Sequence, residues 1–301
     1  MSTQLIGGAA EQIRAVFLDA GCRGTLRAER VGTLTPVVDV DGDRPAVSAS
    51  VYKIFVLIAA ARAFDSRTLD PDATVRVVPA DCTPGPTGIS TFSNPVVLSW
   101  LDLARLMITH SDNTAADVLL AAVGLDTVNE ITEELGLGST RIIGGTSALQ
   151  QQLIHDTGTL TLDEAIGILA SNNEIEESLA FDPAYTTSTS AVDTARALSA
   201  IWTGAAASPQ SSEMMRHILA QQIWQHRIRS AFPHRDVIVA GKTGTIGPIR
   251  NEVAVIVFPG EPPMTVSVFT RAARADAYLP NVDRAIGEAA RIAITALRNH
   301  P

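Results

Sequence analysis

The chain has 301 residues, 46% of them hydrophobic and 18% charged, with a net charge of −9 at pH 7. This is a globular composition with enough length for a large core, which excludes a disordered chain. The acidic balance and the lack of any Lys/Arg cluster exclude a nucleic-acid partner, and no apolar run reaches transmembrane length, so no membrane partner is expected.

Taken in order, Glu11 to Ala20 has helical spacing in place of a basic head, apolar block and small-residue cleavage site. A cytoplasmic address is therefore expected, or a secreted one if a leader was removed. Thr25 to Arg30 and Thr33 to Asp39 read as strands, and the Asp41-Gly42-Asp43 turn leads to a short strand at Ala46 to Ser48. From Ser50 to about Ala207 the pattern is helical, with loops at 79–95, 136–145 and 172–189. Within it Leu101, Leu103, Leu106 and Met107 mark one helix, and Thr161-Leu162-Asp163-Glu164 is a capping box that opens another. Helical spacing returns at Ser212 to Gln225. The period then changes: Val237 to Ala240, Glu252 to Phe258 and Met264 to Thr270 are strands, and a last helix runs from about Val282 to Arg298.

Strands at both chain ends with helices between them predict an α/β sandwich-type fold. Its antiparallel sheet is built from both chain ends and flanked by helices, and an all-α domain is inserted. Residues 1–49 and 208–301 are assigned to the α/β domain and 50–207 to the helical one, with the active site at their interface. Oligomeric state has no signature. Cys22 and Cys82, far apart and in no paired motif, read as free thiols. The histidines show no ligand spacing, so no metal and no cofactor are expected.

Ser50-Val51-Tyr52-Lys53 precedes the apolar run Ile54 to Ala61. Ser50 has the profile of a helix N-cap, and Lys53 lies on the same face one turn on. A lysine at the head of a fully buried helix needs a polar partner or loses its charge, and a depressed lysine is a base able to activate a hydroxyl. The lysine count sharpens this. Lys53 and Lys242 are the only lysines among 23 basic residues. Arginine serves wherever a permanent charge suffices, so these two positions are the ones that require an amine.

Three strings stand in order: Ser50-x-x-Lys53, Ser111-Asp112-Asn113 and Lys242-Thr243-Gly244. Together they resemble the serine β-lactamase and penicillin-binding-protein superfamily, most closely its class A β-lactamase branch. Ser111 to Asp117 is similar to the family's Ser-Asp-Asn-Thr-Ala-Ala-Asn stretch, and Arg250 to Val255 to its Arg-Asn-Asp-Val-Ala-Val strand. The resemblance implies a β-lactamase/transpeptidase-like fold and a small-molecule substrate bearing a carboxylate. It implies Ser50 as the nucleophile that forms an acyl-enzyme, Lys53 as base, and Ser111 as proton relay to the leaving group. The N–H groups of Ser50 and Thr245 form the oxyanion hole, and Asn113 binds a substrate amide. Lys242, Thr243, Gly244 and Thr245 line the pocket edge and hold the substrate carboxylate with Arg250, while Phe92 is an aromatic gatekeeper.

The family also carries a deacylating glutamate in a Glu-x-x-Leu-Asn pattern, with an arginine just before it. Glu176-x-x-Leu179 fits, but Ala180 replaces the asparagine and no arginine falls between Arg141 and Arg196. Glu176 is thus the candidate for deacylation, set against a solvated acidic helix face. The expected function is a serine hydrolase acting on a β-lactam or related amide or ester. A serine esterase or amidase of the same fold, or a module that is acylated once and senses β-lactams, are the alternatives.

Overall fold

A computed structural model describes residues 2–33, 35–171, 178–276 and 278–300. Helix α1 (Ser2–Asp19) leads into β1 (Cys22–Arg30), β2 (Val37–Val40) and β3 (Ala46–Val47). A short 3₁₀ helix, Ala49–Tyr52, runs directly into α2 (Lys53–Asp65). Strands β4 (Thr74–Val77) and β5 (Val96–Ser99) precede α3 (Trp100–Thr109), α4 (Asn113–Val123), α5 (Leu125–Glu134), α6 (Thr146–Thr157) and α7 (Leu162–Ser171). After β6 (Ser188–Thr189) come α8 (Ala191–Thr203), α9 (Pro209–Ala220), β7 (Ile238–Ile246), β8 (Ile249–Val257), β9 (Met264–Ala272) and α10 (Pro280–Arg298).

The main sheet has the order β2-β1-β9-β8-β7, antiparallel throughout. The two chain ends meet where β1 pairs with β9, from Cys22 opposite Ala272 to Arg30 opposite Met264. Both faces are covered. Ala254, Ile256, Val266 and Val268 face α1 and α10, while Val253, Val255 and Phe269 face the core around α2. With apolar partners on either side, β8 needs no polar alternation, and it shows none. Helix α2 is buried from Lys53 through Ala61. Each large apolar side chain there contributes about 1.5–3 kcal/mol of burial, enough to fix the helix despite its weak amphipathicity.

The elements depart from the sequence expectation in three places. The first strand of the C-terminal sheet runs on through Gly241-Lys242-Thr243-Gly244-Thr245, which by composition resembles a turn. Pairing of every residue from Ile238 to Ile246 with β8 overrides that local tendency. The segment read as helix and loop also holds the antiparallel β4–β5 pair, and β6 returns to pair with β3. The strand expected at Thr33 to Asp39 is instead Val37–Val40, after the cis Thr35-Pro36 bond. The capping box stands as read: Glu164 N donates to Thr161 Oγ1 at 3.3 Å, and Thr161 N to the Glu164 carboxylate at 3.2 Å.

Candidate active site

Ser50 lies inside the 3₁₀ turn Ala49–Tyr52, and its side chain caps no helix. Ala49 before it has φ of +45°, a left-handed conformation costly for a residue with a Cβ. The turn is therefore held from outside. Asn251 on β8 donates its amide to Val47 O at 2.9 Å and Ser48 O at 3.3 Å. Gly244 on β7 approaches so closely that a Cβ there would sit 2.8 Å from Ser48 O and 3.1 Å from Val51 Cγ2. Only glycine lets the edge strand press on the Ser50 turn. Ser50 is half-buried, and its hydroxyl enters no hydrogen bond among the described residues.

One turn on, Lys53 is fully buried. Its Nζ donates to Ser111 O at 2.7 Å and Asn113 Oδ1 at 2.9 Å, with Asp112 O at 3.3 Å and Ser111 Oγ at 3.4 Å. Burial pulls its pKa down to about 7, against the opposing charges of Asp112 and Asp117. Lys242, equally buried, donates to Ser111 Oγ at 2.9 Å and to Thr243 O at 2.8 Å. Burial, and then the charges of Lys53 and Arg227, hold it well below the ordinary lysine range, with Glu252 opposing. Both lysines of the chain thus converge on one hydroxyl.

That hydroxyl is itself strained into place. Ser111 has φ of +59° in the turn between α3 and α4. Asp112, fully buried, caps α4 through Ala115 N at 3.0 Å and ties down the Gly88–Thr91 turn through Ile89 N at 2.6 Å. Asn113 turns its amide nitrogen to Pro84 O at 2.8 Å, so both ends of its side chain are engaged within the protein. Phe92 follows the Gly88–Thr91 turn and is 48% exposed.

On β7, Thr243 N leaves the ladder to meet Gln222 Oε1 at 2.6 Å. Antiparallel alternation turns Thr245 N, two residues on, to the same free edge of the sheet. Gln222 in turn donates to Glu252 at 3.0 Å, and Ile228 N to the other Glu252 oxygen at 2.6 Å. Burial raises Glu252 to about 7. Arg250 is buried and spends its guanidinium on the carbonyls of Gly247 at 2.6 Å, Ile249 at 2.9 Å and Asp276 at 2.7 Å. Among the described residues, Arg227 brings its guanidinium to the Lys242–Thr245 segment. It donates to Thr245 Oγ1 at 2.8 Å, Gly244 O at 3.1 Å and Asn251 O at 2.8 Å, and pairs with Asp283 at 2.6 Å. Sequence reasoning missed Arg227, because Gln225 to Arg229 has no pattern that separates a buried arginine from a solvated one.

Glu176 lies outside the described residues. Within them, the start of α6 packs against α4 and the Ala49–Tyr52 turn: Thr146 N donates to Asp117 at 2.8 Å and to Tyr52 OH at 3.1 Å, and Ser147 N to Asp117 at 2.9 Å. Gln150 donates to Pro84 O at 2.8 Å, the same carbonyl that Asn113 uses. Thr146-x-x-Leu149-Gln150 has the Glu-x-x-Leu-Asn spacing with hydroxyl and amide in place of carboxylate and amide, shortly after Arg141. That signal was readable in the sequence and lay just past the loop read at 136–145, in a stretch taken for helix. Among the described residues no group of three or more His, Cys, Asp or Glu side chains is placed to hold a metal.

A family model described as the Beta-lactamase enzyme family matches residues 8–297. The β-lactamase regulatory protein BlaB of Streptomyces cacaoi is 24% identical over 270 residues, 84% of this chain and 86% of its own. The solved β-lactamase from Sphaerobacter thermophilus DSM 20745 superposes with a TM-score of 0.78 at 24% identity, covering 98% of both chains. A mutant of PBP-A, in acyl-enzyme complex with penicillin G, gives 0.77 at 19% identity over 97% of both. Likeness of this kind establishes the β-lactamase/transpeptidase-like fold.

Proposed function

The chain belongs to the β-lactamase enzyme family, and from that premise we propose that it forms an acyl-enzyme through Ser50 on a β-lactam or related amide that carries a carboxylate. The observation that carries this reading is the pair of buried amines on Ser111 Oγ, one of them from Lys53, which follows Ser50 by one turn of chain. Ser50 Oγ attacks the carbonyl carbon and passes its proton to the neutral amine of Lys53. Negative charge on the carbonyl oxygen is met by Ser50 N and Thr245 N. As the C–N bond breaks, Ser111 gives its proton to the leaving nitrogen and is resupplied from Lys53. Lys242 draws the substrate carboxylate to the edge of β7, where Thr243 and Thr245 hydrogen-bond it. Arg227 holds Thr245 in position, while Arg250 braces the β7–β8 turn that carries it.

A second reading has its own support: the acyl-enzyme persists, and the chain works as a β-lactam-responsive module. The carboxylates whose charge reaches Lys53 are Asp112 and Asp117. Both are occupied, Asp112 by Ile89 N and Ala115 N, and Asp117 by Thr83 Oγ1, Thr146 N and Ser147 N. Thr146 and Gln150 offer no base to activate water, and one relative is named as a regulatory protein.

The test incubates the protein with a chromogenic cephalosporin and, separately, with a short ester, following turnover and intact mass together. An adduct that maps to Ser50 and is absent from Ser50→Ala supports acylation. A long-lived adduct selects the sensing reading, and rapid turnover of cephalosporin selects hydrolysis. Ester turnover with no cephalosporin adduct contradicts the β-lactam assignment.

A further inference from the structure

A cavity of about 820 Å³ lies between the β1–β9 end of the sheet, the Arg44–Val47 segment and the Phe181–Pro183 loop. None of Ser50, Lys53, Ser111, Lys242 or Thr245 lines it. Its wall carries three guanidiniums, Arg23, Arg44 and Arg271, and none of its described lining residues is acidic. In a chain of net charge −9 that is a marked local excess of positive charge. Arg27, on the same strand as Arg23, shows the ordinary arrangement, paired with Glu29 at 2.7 Å and Asp39 at 3.3 Å. Arg23 and Arg44 form no ion pair among the described residues, and Arg271 gives one N–H to Phe181 O at 3.0 Å. A guanidinium has five N–H donors, so all three keep donors to offer. Thr25, on the same wall and 8% exposed, has a buried hydroxyl without a partner. The accessible apolar lining is Leu18, Pro45 and Pro183, so the space joins an apolar wall to a cationic rim and is of a size that holds a small organic molecule.

We propose that this cavity binds a small amphiphilic organic anion, with a carboxylate or sulfonate head on Arg23, Arg44 and Arg271 and an apolar body against Leu18, Pro45 and Pro183. It is a site separate from the one that acylates, and it does not depend on the function proposed for Ser50. The charge excess selects the head and the apolar wall selects the body, so neither an inorganic anion nor a neutral alcohol satisfies both.

The test titrates the full chain with anilinonaphthalene sulfonate and follows its fluorescence. Saturable one-to-one binding is expected, displaced by decanoate and not by decanol or sodium sulfate at equal concentration. Binding weakens at least tenfold in the double variant Arg23→Glu/Arg44→Glu, whose side chains are exposed, and in Ala273→Trp, which fills the exposed mouth. It is unchanged in Ser50→Ala. Circular dichroism melting confirms that each variant folds. Three results would overturn the proposal: losses under tenfold in both folded cavity variants, displacement by decanol as good as by decanoate, or loss of binding in Ser50→Ala.

Discussion

Two amines that reach the same hydroxyl oxygen cannot both stay protonated at low cost. Lys53 and Lys242 lie 3.4 and 2.9 Å from Ser111 Oγ, so their nitrogens are at most roughly 6 Å apart. At that separation and an effective dielectric near 20, two positive charges repel by about 3 kcal/mol, or about two pKa units. Burial acts in the same direction on both. One neutral amine near pH 7 is the state this predicts, and Lys53, at about 7, is the one that follows Ser50 by one turn of chain. The same reasoning separates lysine from arginine here. Lys242→Arg keeps the cation that draws the substrate carboxylate, but a larger planar fork has to enter the fully buried place on Ser111 Oγ, so acylation by a chromogenic cephalosporin is expected to fall by at least about tenfold even though the formal charge is kept. A fall under about tenfold, in a stopped-flow assay, contradicts the need for an amine.

At the scale of elements, the site is made where three pieces of chain are forced together: the turn before α2, the turn between α3 and α4, and the edge strand β7. Gly244 sets the closest approach, with no room for a methyl group beside Ser48 O. Gly244→Ala is expected to push β7 off the Ser50 turn and lower the acylation rate at least about tenfold, because displacements of around 1 Å cost on the order of 10²-fold. Wild-type acylation in this variant would show that the close packing is incidental. The head of α6 gives a different test. Thr146→Glu places a carboxylate where the second reading finds none, and the lifetime of the Ser50 adduct, followed by intact mass, is expected to shorten at least about tenfold. An adduct of unchanged lifetime counts against Thr146 as the place from which water is activated.

For the molecule as a whole, both chain ends build one sheet, and the buried Arg227, in the loop before β7, links β7 to the half-buried Asp283 of α10. Removing one partner leaves a charge in a poorly hydrated place, so Arg227→Ala is expected to cost about 3 kcal/mol in urea unfolding. A loss under about 1 kcal/mol contradicts a structural role for the pair. This scale also shows what the sequence made legible. The two-ended sheet and the lysines at 53 and 242 were readable because rarity and order in the chain are properties of sequence. Arg227, Gln222 and Glu252 were not, since their roles come from contacts between β7, β8 and the loop before β7, which no local pattern records. Ser50 was misread as an N-cap for the same reason: its conformation is imposed by Asn251 and Gly244, some 200 residues away in the chain.

The most direct measurement of the central claim is the rate of Ser50 acylation as a function of pH, in the wild type and in Lys53→Ala. If the neutral amine of Lys53 takes the serine proton, the wild-type rate rises about tenfold per pH unit below pH 7 and levels off above it, following the neutral fraction of a group with a pKa of about 7. Lys53→Ala then loses on the order of 10²–10⁴ in rate together with that pH dependence. A flat wild-type profile through pH 7, with Lys53→Ala within about tenfold of wild type, would contradict it.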